Sequence, residues 1–377
     1  MTAVSLTMTK TTFKIPLHFT MLEEPRDDGR YVVEDILSVR REDENTQLEQ
    51  INELESNFSN LALEDTENLN RNFDFAYAYM RVYDELPDKA RTALCQAITK
   101  ALNNLCGTIS TRSNDMTTTS PSQVLFFQRQ FKMLVSLTSE LARAGLKGAL
   151  RSIDDSNQKD MVSGTGKKKS AHAAKKRKKE AATTWTNDCF LALQTLNVAL
   201  VVDFQVLWPG HKVGEELLQL FCRVGYDFLP HKLVLRSSSD FTDEVLSIIA
   251  NTNHRFPAMT STAITSELLP LLRDHEHLSG PVARLVVQAG TSTTTEEEKD
   301  GSPSTVGTST TTLASEMLSE IDHFEGQSTL GAFVVELATQ SPVIMLANVR
   351  TVLPLLNNGD NKDAHSMRSS VCAALGR

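Results

Sequence analysis

The residues best suited by type and spacing to do chemistry lie between Gly164 and Glu180, in the run GTGKKKSAHAAKKRKKE. Glycines beside lysine invite comparison with a phosphate-cradling loop, in which backbone N–H groups and a lysine hold a nucleotide. That motif needs a glycine five residues before Gly166 and a Ser or Thr after the lysine, where Met161 and Lys168 stand. It also needs a preceding buried strand and a following helix to aim N–H groups at phosphate, and no such strand precedes this run. Nucleotide chemistry is therefore not expected of it.

What remains is charge. Lys167, Lys168, Lys169, Lys175, Lys176, Arg177, Lys178 and Lys179 are eight basic residues without an acid among them. The whole chain carries −9, so 30 basic residues face 47 acidic ones elsewhere. One positive segment on an acidic body is a local device for an anionic partner or a receptor, not a general nucleic-acid coat. The short run Lys175 to Lys179 fits a nuclear-import signal read by an import receptor. Lysines and arginines can equally neutralise DNA or chromatin phosphates and release their counterions. Trp185 is the first aromatic residue after the run, so there is no stacking platform and no basis for reading sequence. A solvated linker without further role is the remaining reading.

Other constellations carry less. Asp274, His275, Glu276 and His277 look like possible metal ligands, but neighbours two apart in a helix point to different faces and no third ligand pattern is nearby, so a polar helix end is the reading. No GxSxG occurs, and no cysteine sits in a polar or electropositive setting that would favour a thiolate. Cys95, Cys106, Cys189, Cys222 and Cys372 lack CxxC spacing and lie among apolar residues, as buried thiols of a reducing compartment would. No catalytic residue, metal site or cofactor is expected. Ser120 and Ser302 precede proline in Ser/Thr-rich stretches open to a proline-directed kinase, and Ser170 follows three lysines as a basophilic kinase would require.

The elements that must position these residues are helical. At 377 residues, with 40% hydrophobic and 6% aromatic residues, the chain is long enough for two or three domains or one array of repeats. It has no basic-then-apolar leader in its first thirty residues, and its longest apolar run, Leu191 to Leu207, is broken by Gln194, Asn197, Asp203 and Gln205, so no membrane span is expected. Tyr31 to Arg40 carries an amphipathic stripe, and helices are expected over 70–85, 88–105, 123–150, 188–207, 214–229, 240–249, 257–273 and 281–288. Three stretches rich in Ser, Thr, Gly and charge, 107–119, 152–184 and 291–311, read as disordered. Trp185 and Trp208 bracket an apolar helix and read as packing anchors. The resulting plan is a helical block over 1–150, a basic disordered linker over 151–184, a second block over 185–290, an insert over 291–311 and repeats over 312–377.

In the last segment Ser341 is expected to cap a helix opened by Pro342 and running to Leu356. Then come an acidic turn, whose aspartate is Asp360 or Asp363, and a second helix with Arg368, a pattern that resembles a HEAT repeat. Such units must stack to bury their faces, so the expected fold is all-α, a HEAT-like α-solenoid of paired antiparallel helices with disordered inserts. The pattern is cut at Arg377, as in part of a longer solenoid.

Several phrases in order resemble one family, the HEAT-repeat D-type regulatory subunits of condensin I at their N-terminal domain. They are FKIPL at Phe13, YVVEDILSVR at Tyr31, the Lys-rich run before Trp185, LQTLNVALVVDFQVLW at Leu193, DHEHL at Asp274, and LGAFVVELATQSPVIMLANVRTVLPLL at Leu330. The 291–311 insert and residues 43–70 depart from it. The resemblance implies a non-catalytic subunit bound to condensin kleisin and SMC subunits, acting in mitotic chromosome condensation, in the nucleus and on chromosomes, with a cytoplasmic interphase pool. A generic HEAT scaffold or transport adaptor with a nuclear-localisation signal is the alternative.

Overall fold

The computed structural model describes residues 39–112, 120–162, 168–208, 213, 215–231, 239–291, 312–321, 327–356 and 362–376. Fifteen α-helices and no strands occur among the described residues. They are α1 Glu44–Ser59, α2 Thr66–Arg81, α3 Asp88–Arg112, α4 Pro121–Val162, α5 Lys168–Val201, α6 Phe204–Leu207, α7 Glu215–Phe228, α8 Ser239–Arg255, α9 Pro257–Asp274, α10 Ser279–Thr291, α11 Thr312–Ile321, α12 Gln327–Gln340, α13 Pro342–Ala347, α14 Val349–Val352 and α15 Lys362–Leu375.

The helix starts follow from local chemistry. The Asp43 carboxylate accepts from the Thr46 N–H at 2.9 Å, and Asp65 accepts from that of Asn68 at 3.1 Å, each satisfying a donor that the first turn leaves without a partner. Pro257 and Pro342 open α9 and α13, where a missing N–H costs nothing. Packing then alternates. Helices α1, α3, α5, α8, α10, α12 and α15 each pack on the next in that series, while α2, α4, α7, α9 and α11 do the same beside them. Two layers stacked along the chain bury one continuous apolar core between them, which is the α-solenoid the sequence leads one to expect.

Five features differ from expectation. Residues 168–184, read as an irregular linker, have helical backbone and form the first half of α5, while α4 runs through position 150 to Val162. Ala, Lys, Arg and Glu are strong helix formers, and a helix already nucleated on a packed anchor extends at low cost whether or not it buries anything. Ser120 is half-buried at the start of α4: its hydroxyl accepts from the Gln123 N–H at 3.3 Å and donates to the Glu64 carboxylate at 3.3 Å, and Ser122 donates to the same carboxylate at 3.0 Å. Glu64 itself has φ 68°, so the α1–α2 turn holds a left-handed residue tied to the beginning of α4.

The helix expected to run from Pro342 to Leu356 breaks at Asn348. Its buried amide donates to the Ile344 carbonyl at 2.9 Å, a local bond that competes with the helix ladder, and Leu353–Leu356 is a 3-10 turn. Ser341 precedes α13 without a side-chain cap bond. Finally, Cys372 is exposed, whereas Cys95, Cys106, Cys189 and Cys222 are buried as expected. Insert residues 292–311, with Ser302, lie outside the described residues, as do 1–38, 113–119 and 163–167.

Candidate nucleic-acid and partner interface

The basic run is the continuation of a helix whose other half is locked into the core. Trp185 lies two residues beyond the stretch 153–183, whose side chains are not described, and is itself buried. Its indole carries the Arg91 guanidinium at 3.6 Å from the ring centroid and meets the Tyr83 ring edge-on at 5.7 Å. Arg91 is 2% exposed, pairs with Asp88 at 2.8 Å, and lies 3.5 Å from Asp188, one turn along α5. The Thr92 hydroxyl donates to Asp188 at 3.3 Å, and the Cys95 thiol donates to its backbone carbonyl at 3.4 Å. A cation taken out of water is thus held by two carboxylates and an aromatic face.

The approach of α4 to α5 depends on small residues. A Cβ placed on Gly148 would collide with the Trp185 indole, and one on Gly145 would lie 2.9 Å from the Cys189 Cβ. The Cys189 thiol donates to the Ala142 carbonyl at 3.2 Å. On the outer side of this root, Asp84 pairs with Arg151 at 2.7 Å and Lys147 at 3.4 Å. Beyond it, residues 151–162 of α4 and 168–183 of α5 continue as a helical arm.

Electrostatics at the root follow burial. Desolvation pushes the Asp188 carboxyl up to about 6 from 3.8, with the Arg91 charge and the Thr92 bond opposing the shift. Cys95 and Cys189 are driven well upward by burial, and Cys106 and Cys222 to about 12, so none offers a thiolate. Between about pH 4 and 6 the native Asp188 keeps a proton that the unfolded chain releases, so its contribution to stability falls as pH rises through that window and then levels off. In thermal unfolding, the margin of the wild type over Asp188→Asn should therefore be largest near pH 4 and smallest above about pH 7. A margin that grows with pH would mean that Arg91 already holds the carboxylate charged at pH 4.

Of the residues singled out in sequence, Lys168, Lys169, Lys175, Lys176, Arg177, Lys178, Lys179 and Ser170 share one helix, while Lys167 and Ser302 lie outside the described residues. Asp274 closes α9 and pairs with Arg273 at 2.8 Å, and His275 and His277 meet ring to ring at 5.7 Å. Among the described residues no three His, Cys, Asp or Glu side chains are grouped so that they could hold a metal ion. No described helix is long and apolar enough to cross a membrane. Sequence reading found Trp185 as an anchor and missed Arg91 and Asp188. Their signal was faint: an arginine on the apolar side of α3, and an acid three residues past a tryptophan.

An all-helical repeat scaffold, with a lysine-rich helix rooted in its core, is the class of protein that these elements define. Residues 88–256 match the family model for the non-SMC mitotic condensation complex subunit 1, N-terminal part. The chain is also similar to condensin complex subunit 1 of Xenopus laevis, 23% identical over 370 residues that cover 97% of this chain and 24% of that protein. Both findings bear out the resemblance: the chain carries a domain like the N-terminal domain of condensin complex subunit 1, and spans about a quarter of that relative's length.

Proposed function

We propose that the chain is a non-catalytic α-solenoid module of a condensin-type complex that acts in mitotic chromosome condensation in the nucleus. One coincidence supports this reading above others. The matched residues begin at the first position of α3 and end just past α8, so they contain both the Arg91–Trp185–Asp188 root and the basic run. The solenoid faces then serve as surfaces for the kleisin and SMC subunits, and the run Lys167–Lys179 acts in nuclear import and in contact with DNA. The chemistry of the root is that of packing: its thiols are held protonated, and Arg91 is buried and paired.

Tagged chain purified from mitotic cells should recover a kleisin and SMC subunits. Recovery of import factors alone would sink the condensin reading and leave a generic HEAT scaffold or transport adaptor in its place.

A further inference from the structure

Helices α13 and α14, with the 3-10 turn after them, are apolar on two sides. Ile344, Met345, Val352 and Leu355 are buried. On the other side Val343 is 75% exposed, Leu346 70% and Leu353 45%. Arg350, also exposed, is the one charged residue between Pro342 and Leu356. Positions 343, 346, 350 and 353 follow at intervals of three, four and three residues, the spacing of a stripe on one helix face. The break at Asn348 does not scatter them, because helical bonds cross it: the Asn348 N–H donates to the Ile344 carbonyl at 3.1 Å, and the Asn348 carbonyl accepts from the Val352 N–H at 3.1 Å.

A surface helix ordinarily turns its apolar stripe inward and its charges outward, whereas one that is apolar all round is covered on both sides. The fold follows the first rule elsewhere: α1 buries Ile51, Leu54 and Phe58 and turns Glu44, Glu49 and Glu53 to water. Single apolar side chains on a surface need no explanation, but three on one stripe form a patch of the kind that marks an interface. Shape and charge narrow what covers it. Side chains at this spacing receive another helix, ridge into groove. No ion pair holds Arg350 among the described residues, and no carboxylate lies on the stripe. A second copy packed stripe to stripe would bring two guanidiniums into one apolar interface with no acid to receive either. Nucleic acid fits no better, since one cation among apolar side chains offers little to phosphates.

We infer that the outer stripe of α13 and α14 seats an amphipathic helix of a partner subunit, which lays an apolar face on Val343, Leu346 and Leu353 and pairs an Asp or Glu with Arg350. This inference rests on the subunit role proposed above and assigns it one contact surface. Apolar anchors around an arginine are the composition of an interface core, where the pair, once shut off from water, fixes the register of the incoming helix. The guanidinium fork can hold a carboxylate by two parallel bonds, so the orientation of the partner is set as well as its position.

The test is photo-crosslinking of the full chain in mitotic cells, with p-benzoylphenylalanine in place of Val343 or Leu346 and the products read by mass spectrometry. Both positions should mark one segment of a kleisin or SMC subunit, with apolar side chains three and four residues apart and an Asp or Glu among them. Arg350→Glu should lower recovery of that subunit by about tenfold or more at an unchanged thermal unfolding midpoint, and changing the marked carboxylate to Lys should restore it. Crosslinks to a second copy of this chain would overturn the proposal in favour of self-association. Kleisin and SMC subunits recovered without crosslinks from either position, or recovered equally by Arg350→Glu, would overturn the stripe as the seat and leave the proposed function standing. Recovery of no kleisin or SMC subunit by the wild type would end both.

Discussion

Replacing Arg91 with Ala should destabilise the chain by about 3–5 kcal/mol, the range for removing one partner of a buried ion pair. The change takes away a side chain that is 2% exposed, its stack on Trp185 and its pairs with Asp88 and Asp188. It also leaves the Asp188 carboxyl buried without a cation. Arg91→Lys should recover little, because an ammonium lacks the flat face that lies on the indole and the fork that spans two carboxylates. Arg91→Met combined with Asp188→Leu should recover much of the loss, since a buried pair exchanged for apolar residues of similar volume is often neutral. Denaturant midpoints of the four proteins are the measurement. A double variant no better than Arg91→Ala would mean that the charges themselves, and not the filled volume, hold α3 to α5.

Trp185→Ala should cost about 3–5 kcal/mol, as large buried aromatics do. Its ring fills the space between Arg91, Tyr83 and the bare backbone of Gly148. The neighbouring glycine makes the claim specific. Gly148→Ala alone should destabilise by about 1–3 kcal/mol, because its new methyl collides with the indole. In a Trp185→Ala background the same change should be close to neutral or stabilising, a strong departure from additivity between touching residues. Additive losses in the denaturant midpoints would contradict the contact.

Much of the architecture was legible because it depends on patterns repeated over many residues. The stripe positions of α3, α7 and α9 and the prolines that open α9 and α13 are signals that tertiary packing reinforces. Trp185 was legible as an anchor for the same reason: so large an apolar area is rarely left in water. The root was not legible, because whether Arg91 lies in the core depends on Asp188, 97 positions later, reaching the same spot. Sequence spacing carries no trace of that meeting. The basic run was misread as irregular because a lack of burial was taken to mean a lack of helix, although Ala, Lys and Arg favour helix without a core. The break at Asn348 is the reverse case, where one buried amide overrides a good periodic stripe.

The alternation of the two layers bears on how the chain comes apart. Each helix leans chiefly on those one or two places along the chain, so stability is nearly a sum of local and nearest-neighbour parts. Cooperativity in such an array decays with distance instead of binding every residue to one transition. A wound at the α3–α5 root would open the helices beside it and leave α12 and α15 folded. The solenoid can thus lose its basic arm to partial unfolding, as one section of a zip may part, while the rest of its surface stays formed.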